Sequence, residues 1–308
     1  MLPLEDYRAR IGLDDGFVPD AATCEQLPGL IHQAVAYLEG EPYASSLTPR
    51  ATSTVATRDV AGARRRLRAL LTVRPPAPLP EHVQGWLDAI LQNERRATDT
   101  VGAVAIWPFS ADVPGASHHP GTTMALWQGD ITHLAVDAIV NAANAQMLGC
   151  FRPFHACIDN AIHSAAGPRL REDCARIMAA QGCEEATGGA KVTRGYHLPS
   201  RFVLHTVGPI VRGPVTDQHR AALASCYTSC LDLAAEVRLI QTIAFCAIST
   251  GVFGFPKVAA ADVAVRTVGT WLKAHPGPLA KVIFNVFGDD DREAYEAVLS
   301  PGAGHVEY

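Results

Sequence analysis

Long hydrophobic runs are absent from this 308-residue sequence. No stretch approaches the roughly 18 apolar residues of a membrane-spanning helix, so we expect no membrane partner. The first residues, MLPLEDYRARIGLDD, carry acids where a signal peptide has a basic segment followed by an apolar one. Hydrophobic residues nonetheless make up 48% of the chain, which is enough for a substantial core. We therefore expect a soluble, cytoplasmic protein.

The sequence also lacks an excess of basic residues. Its formal net charge is −5, and neither half of the chain is basic, so we expect no nucleic acid partner. The run RRRLR at 64–68 is the exception. It is interpreted as the solvated face of a helix, with the binding of an anionic partner as the alternative.

Cysteine is too sparse for a disulfide scaffold, with eight residues in the whole chain. Reduced, buried thiols are the common state of such cysteines in cytosolic proteins. This interpretation applies to Cys24, Cys174, Cys183, Cys226, Cys230 and Cys246.

Two kinds of pattern divide the chain. Residues 1–110 have apolar positions at helical spacing and are predicted to form a small helical domain. Residues 111–123 are rich in Pro, Gly and Ser and are predicted to be a linker. Strand and helix patterns alternate over 124–308, where AIVNA, TIAFCAI and KVIFNVF are continuous apolar runs. Such runs indicate strands buried on both faces, which predicts a three-layer α/β/α sandwich with a mixed, mostly parallel sheet.

Ligands of such sheets bind beyond the carboxyl ends of the strands. Three predicted strand ends, LWQGDIT, AIVNAANAQMLGC and CAISTGVFGFP, carry Gly, Asp, Asn, Ser or Thr. In the third, a glycine-punctuated loop leads into a helix, an arrangement whose backbone N–H groups suit a diphosphate. The alternative is that Gly251 and Gly254 only permit a tight turn.

The stretch LGCFRPFHACIDNAIH places Cys150, His155 and Cys157 close together. Three ligands favour a catalytic zinc site, since structural zinc is almost always closed by four. One alternative is Cys150 as a nucleophile activated by His155, and another is a set of buried structural cysteines. Asp159 follows at the start of a helix, where it can cap the helix, handle a proton, or do both. His163 is interpreted as a core residue.

Several motifs appear in an order and spacing that resemble those of the macrodomain family, whose members bind ADP-ribose. They run from about Trp127 to Val298: QGDIT, DAIVNAAN, IDNAIH, GGAKVTRGYHLP, VLHTVGP and AISTGVFGFP. The stretch GCFRPFHAC replaces the glycine run of ordinary hydrolytic members. That departure, together with LRALLTVRPPAPLP in the helical region, resembles the zinc-dependent subgroup.

The resemblance implies roles for individual residues. Asp130 and the backbone of Ile131 are expected at the adenine, and Asn144 and Gly149 at the distal ribose. Zn²⁺ is expected on Cys150, His155 and Cys157, with Asp159 and Asn144 as catalytic residues. The loop expected to wrap the diphosphate, with its phenylalanine near the distal ribose, consists of Ser249, Thr250, Gly251, Val252, Phe253 and Gly254.

The resemblance also implies an activity. A zinc-dependent hydrolase would remove mono-ADP-ribose from protein side chains, with acidic-residue esters as the expected linkage. Its partners would be ADP-ribose or an ADP-ribosylated protein, and a sirtuin-type ADP-ribosyltransferase. The alternatives are a non-catalytic ADP-ribose reader and an O-acetyl-ADP-ribose deacetylase.

Overall fold

A computed structural model describes residues 2–47, 59–108 and 123–299. The predicted linker lies outside these ranges except for its last residue. The helices of the described chain are α1 (Leu4–Tyr7), α2 (Leu27–Glu39), α3 (Val60–Val73), α4 (Glu81–Ala97), α5 (Ile158–Ala166), α6 (Pro168–Gln181), α7 (Asp217–Val237), α8 (Lys257–Ala274) and α9 (Asp289–Leu299). The strands are β1 (Val101–Gly102), β2 (Thr123–Gln128), β3 (Leu134–Ala135), β4 (Ala138–Ala143), β5 (Ala190–Arg194), β6 (Phe202–Val207), β7 (Thr242–Phe245) and β8 (Lys281–Val286).

The six-stranded sheet confirms the mixed, mostly parallel prediction. Its order is β2-β8-β7-β4-β6-β5, and only the pairing of β5 with β6 is antiparallel. Its strands are almost entirely buried because helices cover both faces. Helices α5 and α6 pack together on β4 and β5, while α7, α8 and α9 form a second packed group against the sheet. The three-layer α/β/α prediction is therefore confirmed.

The helical region before the sheet has a core of its own. Helices α2, α3 and α4 turn their apolar stripes toward one another, and Leu38, Leu67 and Leu87 are completely or almost completely buried there. The spacing of four residues between Ala63 and Leu67 places both on one side of α3. Asp59 caps the same helix by accepting a hydrogen bond from the amide of Gly62.

The first residues of the chain pack elsewhere, in the core of the sheet. Leu4, Tyr7 and Ile11 are buried in that larger core, and the Tyr7 hydroxyl accepts a hydrogen bond from the Val192 amide of β5 at 3.0 Å. Ile106 joins the same core. The predicted domain boundary at residue 110 stays a prediction, and residues before it contribute to both cores.

Buried polar contacts join the helical region to the sheet domain. Asp88 of α4 pairs with Arg169 at 2.7 Å and with His197 at 3.1 Å. The Arg171 guanidinium donates to the carbonyls of Leu71, Thr72 and Arg74 at the end of α3. These bonds satisfy terminal carbonyls of α3 that its own helix leaves without donors.

The eight cysteines are all free thiols. Cys174, Cys226, Cys230 and Cys246 are buried, as predicted. The prediction was wrong for Cys24 and Cys183, which are exposed because they lie just outside helices, in turns away from both cores. Across the described ranges, no helix combines the length and apolar character needed to cross a membrane.

Candidate functional site

The carboxyl ends of β2, β8, β7 and β4 meet at one edge of the sheet because these four strands are parallel. The predicted ligand residues follow these ends. Asp130 comes just after β2, Asn144 directly after β4, and the loop 249–254 shortly after β7. Segments far apart in sequence thus form one crevice, the usual ligand position in open α/β sheets.

Cys150, His155 and Cys157 lie together in the loop between β4 and α5. Their ligand atoms are all within 4.8 Å of one another, and Cys150 Sγ is 3.6 Å from His155 Nδ1. All three side chains are partly exposed, so the cluster can be reached from solvent. Two sulfurs and an imidazole nitrogen form a donor set that suits zinc.

The helical region supports this loop. Phe154 has a left-handed backbone conformation, with φ of 59°, and its ring packs against the core of α2, α3 and α4. The Arg65 guanidinium lies 4.8 Å from the centre of the same ring, within the range of cation–π attraction. On the other side of the loop, Arg171 lies 4.6 Å from the ring centre of Phe151. Aromatic anchors therefore fix the segment between the cysteines.

Cys157 is the N-cap of α5, since its sulfur accepts a hydrogen bond from the Asn160 amide at 3.4 Å. The pKa of the Cys157 thiol is raised to about 11, mainly by burial, and the neighbouring Cys150 contributes to the rise. The free thiol is therefore protonated at neutral pH. A bound metal ion would displace that proton, because metals bind the thiolate.

Asp159 does not cap α5, contrary to the simpler of its two interpretations. Cys157 holds the cap position, and the Asp159 side chain points into the protein instead. Its Oδ1 accepts a hydrogen bond from Asn141 Nδ2 at 2.8 Å and lies 3.5 Å from His163 Nε2. Burial raises the pKa of Asp159 to about 6, although Asn141 and the charge of Arg171 act against the rise. The carboxyl group is thus poised to exchange a proton near neutral pH.

Behind Asp159 lies a buried polar cluster that the sequence analysis did not predict. Asn141 Nδ2 also donates to His205 Nδ1 at 3.2 Å, so the imidazole proton of His205 resides on Nε2. That nitrogen faces Thr193 Oγ1 at 2.9 Å and Cys174 Sγ at 3.8 Å. Burial lowers the pKa of His205 to about 3, so the ring is neutral.

The same cluster brings His163, Cys174 and His205 close enough to hold a metal. Because His205 Nε2 carries the proton, that nitrogen is not available as a ligand. The arrangement is instead a hydrogen-bonded support for Asp159. His163 is buried, as predicted for a core residue.

Asn144 shapes the turn between β4 and the cysteine loop. Its Nδ2 donates to the Gly149 carbonyl at 3.1 Å, and its Oδ1 accepts from the Gln146 amide at 3.1 Å. Gly149 has a φ of 80°, and a Cβ there would lie 2.9 Å from the ring of His163. Only glycine fits this position without strain.

The loop 249–254 presents unused backbone donors. Ser249 adopts a φ of 66° and accepts from the Phe255 amide, while the Gly254 amide donates to Gly251. Among the described residues, none accepts a hydrogen bond from the N–H groups of 250–253. Gly254 has a φ of 72°, and a Cβ there would lie 2.9 Å from the Val211 carbonyl. The glycine therefore permits both the turn and the close approach of the neighbouring chain.

The helix that follows this loop, α8, begins at Lys257 with Pro256 at the N-cap. Consecutive unpaired N–H groups, as in this loop, can create a concave positive site that suits an anion.

Asp130 lies at the start of a short 3₁₀ turn, Ile131–His133. Its Oδ1 accepts hydrogen bonds from the amide and hydroxyl of Thr132, at 2.9 and 2.7 Å, which orients the carboxylate. Ile131 is buried beneath it.

Phe287 is a candidate site residue that sequence reasoning missed. It follows β8 directly, and its side chain is 76% exposed. The parallel register of β2 and β8 places it next to the Gly129–Asp130 turn, and the Gly129 amide donates to Val286. An exposed aromatic ring beside an oriented carboxylate is suited to binding a purine base. The signal available in the sequence was the aromatic residue at the end of KVIFNVF.

Comparisons with known proteins agree with this geometry. The family model of the Macro domain matches residues 140–264. The "Protein-ADP-ribose hydrolase" of Treponema medium is 47% identical over 234 residues, covering 76% of this chain and 86% of that protein. Its counterpart in Staphylococcus aureus (strain MSSA476) is 45% identical over 237 residues, covering 77% and 84%. The structure of the Trypanosoma brucei macrodomain in complex with ADP-ribose is 30% identical, covers 75% of this chain and 95% of that one, and has a TM-score of 0.57.

Proposed function

Because the chain belongs to the macrodomain family, we propose that it is a zinc-dependent hydrolase that removes single ADP-ribose units from protein side chains. The observation that carries the proposal is the Cys150–His155–Cys157 cluster, placed beside Asp159 at the crevice of the sheet. The hydrolase names of its relatives in Treponema medium and Staphylococcus aureus support the reaction class. We propose an ester to an acidic residue as the bond that is broken.

The donor set fits zinc. Tetrahedral zinc with bonds of about 2.3 Å to sulfur and about 2.0 Å to nitrogen places neighbouring ligand atoms roughly 3.5 Å apart. The 3.6 Å between Cys150 Sγ and His155 Nδ1 agrees with that spacing, and Cys157 Sγ lies within 4.8 Å of both atoms. A Zn²⁺ bound there would polarise an oxygen of the substrate or of a water molecule as a Lewis acid.

The remaining residues hold ADP-ribose along the sheet edge. The ring of Phe287 stacks on the adenine while Asp130 accepts a hydrogen bond from the exocyclic amine. The free amides of 250–253 bind the diphosphate, which explains how a chain of net charge −5 accommodates an anionic ligand. The distal ribose then lies against Gly149 and the Asn144 turn, next to the cysteine loop.

Asp159 manages the proton of the reaction. The oxygen of water forms a new bond to C1″ of the ribose, and the bond from C1″ to the ester oxygen breaks. The electron pair of that bond leaves with the side-chain carboxylate of the target protein. Asp159 receives the proton of the water, and the hydrogen bond from Asn141 holds its carboxylate in place.

A turnover assay combined with a binding assay tests this proposal. An Asp159→Asn variant should lose at least about a hundredfold in the rate of release of ADP-ribose from a mono-ADP-ribosylated protein, the range expected for general base catalysis. Its Kd for free ADP-ribose should stay within about threefold of the wild type, because Asp159 is buried behind the ribose. If wild type and variant both bind ADP-ribose and neither releases it from protein, the chain is a reader and the hydrolase proposal is wrong.

A further inference from the structure

The run RRRLR contributes to a second surface, outside the ADP-ribose crevice. An open cleft lies where α3 meets α5 and α6. We call it the arginine cleft, and its defining residues are Arg64, Arg68, Cys150, Asn160, Ser164 and Arg171. Its lining includes three arginines and no aspartate or glutamate, in a chain whose net charge is −5.

Two of the three arginines lack a carboxylate partner. Arg64 is neutralised by Glu94 of α4, with one N–O distance of 2.7 Å. Arg68 is exposed, and within the described ranges its side chain makes one hydrogen bond, to Asn160 Oδ1 at 3.5 Å. Its charge is therefore available to a ligand from solvent.

Arg171 is the buried arginine of the cleft. Its side chain is only 7% exposed, and it donates from Nη1 to three backbone carbonyls of the 71–74 segment. Its Nε is buried and has no hydrogen-bond partner among the described residues. Asp159 acts on its charge only through space, without a hydrogen bond between the two side chains, so an anionic ligand in contact with the guanidinium would offset more of the cost of burying it.

The position of the cleft identifies the part of the substrate that can reach it. Cys150, a candidate metal ligand, is also part of the cleft wall, whereas no residue of the diphosphate loop 249–254 lines it. An anion bound in the cleft is therefore separate from the phosphates of ADP-ribose and lies beside the bond to be cleaved. The group with access to that place is the protein that carries the modification.

We propose that the arginine cleft binds a carboxylate of the ADP-ribosylated protein, so that targets with acidic residues flanking the modification are preferred. This inference rests on the proposed function. Arg68 provides a positive charge that the carboxylate can reach, and Arg171 adds the electrostatic attraction of a buried positive charge. A charge-assisted hydrogen bond of this kind corresponds to about a tenfold gain in affinity, or about 1.4 kcal/mol.

Two synthetic peptides test the proposal. Both carry one ADP-ribosyl ester, and they differ only in whether the flanking residues are glutamate or glutamine. Kd is measured in the Asp159→Asn background, so that binding is read without turnover. The glutamate peptide should bind about tenfold more tightly at low salt, and the preference should shrink at high salt because the carboxylate is partly exposed.

Arg68→Gln should reduce this preference to about threefold or less, while the affinity for free ADP-ribose stays unchanged. Arg96→Gln is the matched control, since Arg96 is an exposed arginine on α4 outside the cleft, and it should keep the full preference. Inorganic phosphate, added as a competitor, should weaken binding of the glutamate peptide more than that of the glutamine peptide, because competition at the amides of 250–253 affects both peptides equally.

Equal Kd values for the two peptides in the protein with intact arginines would overturn the proposal. So would equal losses of preference in Arg68→Gln and Arg96→Gln. Turnover of both peptides by the wild-type chain is measured in parallel. An absence of turnover would overturn the hydrolase function, whereas the ratio of Kd values still decides the role of the cleft.

Discussion

The buried, neutral ring of His205 should make the stability of the protein depend on pH. Its pKa is lowered from 6.5 to about 3 in the folded protein, so only the unfolded chain takes up a proton between these values. The contribution of His205 to the free energy of unfolding is therefore fully present above pH 6.5 and is lost as the pH decreases toward 3. Linkage across this pKa difference gives a loss of about 2 kcal/mol in the free energy of unfolding from pH 7 to pH 5.

Urea unfolding at both pH values measures this effect. Over the same pH range, protonation of His163 in the unfolded chain lowers the stability, and protonation of Asp159 in the folded protein raises it. The pH dependence of the wild type is therefore compared with that of single variants. His205→Gln should lose about 2 kcal/mol less than the wild type between pH 7 and pH 5. His32→Gln, which changes an exposed histidine of α2, should behave like the wild type. Equal pH dependence in wild type and His205→Gln would refute the reasoning.

Two further substitutions test the ligand crevice and the cysteine loop. Phe287→Ala should weaken ADP-ribose binding about tenfold, as measured by calorimetry, because it removes one base-stacking contact. Trp107→Ala, which changes another exposed aromatic residue, should have no effect. Equal ADP-ribose affinities of Phe287→Ala and the wild type would exclude stacking. Gly149→Ala should lower the free energy of unfolding by about 2–4 kcal/mol, because it adds a contact with His163 to the cost of a left-handed backbone. Gly182 has a similar φ of 74°, but a Cβ there would have no neighbour within 4 Å, so Gly182→Ala should lower the free energy of unfolding by only about 1 kcal/mol. Equal losses in the two variants would show that the contact with His163 has no effect.

The sheet was predictable because its strands are continuous apolar runs. Because these strands are buried on both faces, apolar and polar residues do not alternate along them. The helices that connect successive runs indicate that the strands pair in parallel. The packing of Tyr7 and Ile11 in the sheet core was not predictable, because a short apolar segment does not reveal which of two cores it joins.

The candidate site was predictable where one short segment supplies the chemistry. Cys150, His155 and Cys157 lie within eight consecutive positions, and the loop brings them together as the spacing suggests. The link from Asp159 through Asn141 to His205 was not predictable, because it depends on the register of β4 against β6, which places Asn141 opposite His205. The interpretation of Asp159 as a cap of α5 was wrong, because Cys157 holds that position, which a cysteine rarely fills. The pairing with a sirtuin-type transferase stays a prediction.

Metal content, measured together with turnover, tests the central claim most directly. The purified wild-type chain should contain one zinc ion, and Cys183→Ala, which removes an exposed thiol outside the cluster, should retain it. Cys157→Ala should contain little zinc and should release ADP-ribose from modified protein at least about a hundredfold more slowly. A chelator that strips the wild-type protein should reduce its rate to the same level. The absence of stoichiometric metal from the wild type, or an unchanged rate after stripping, would contradict the account.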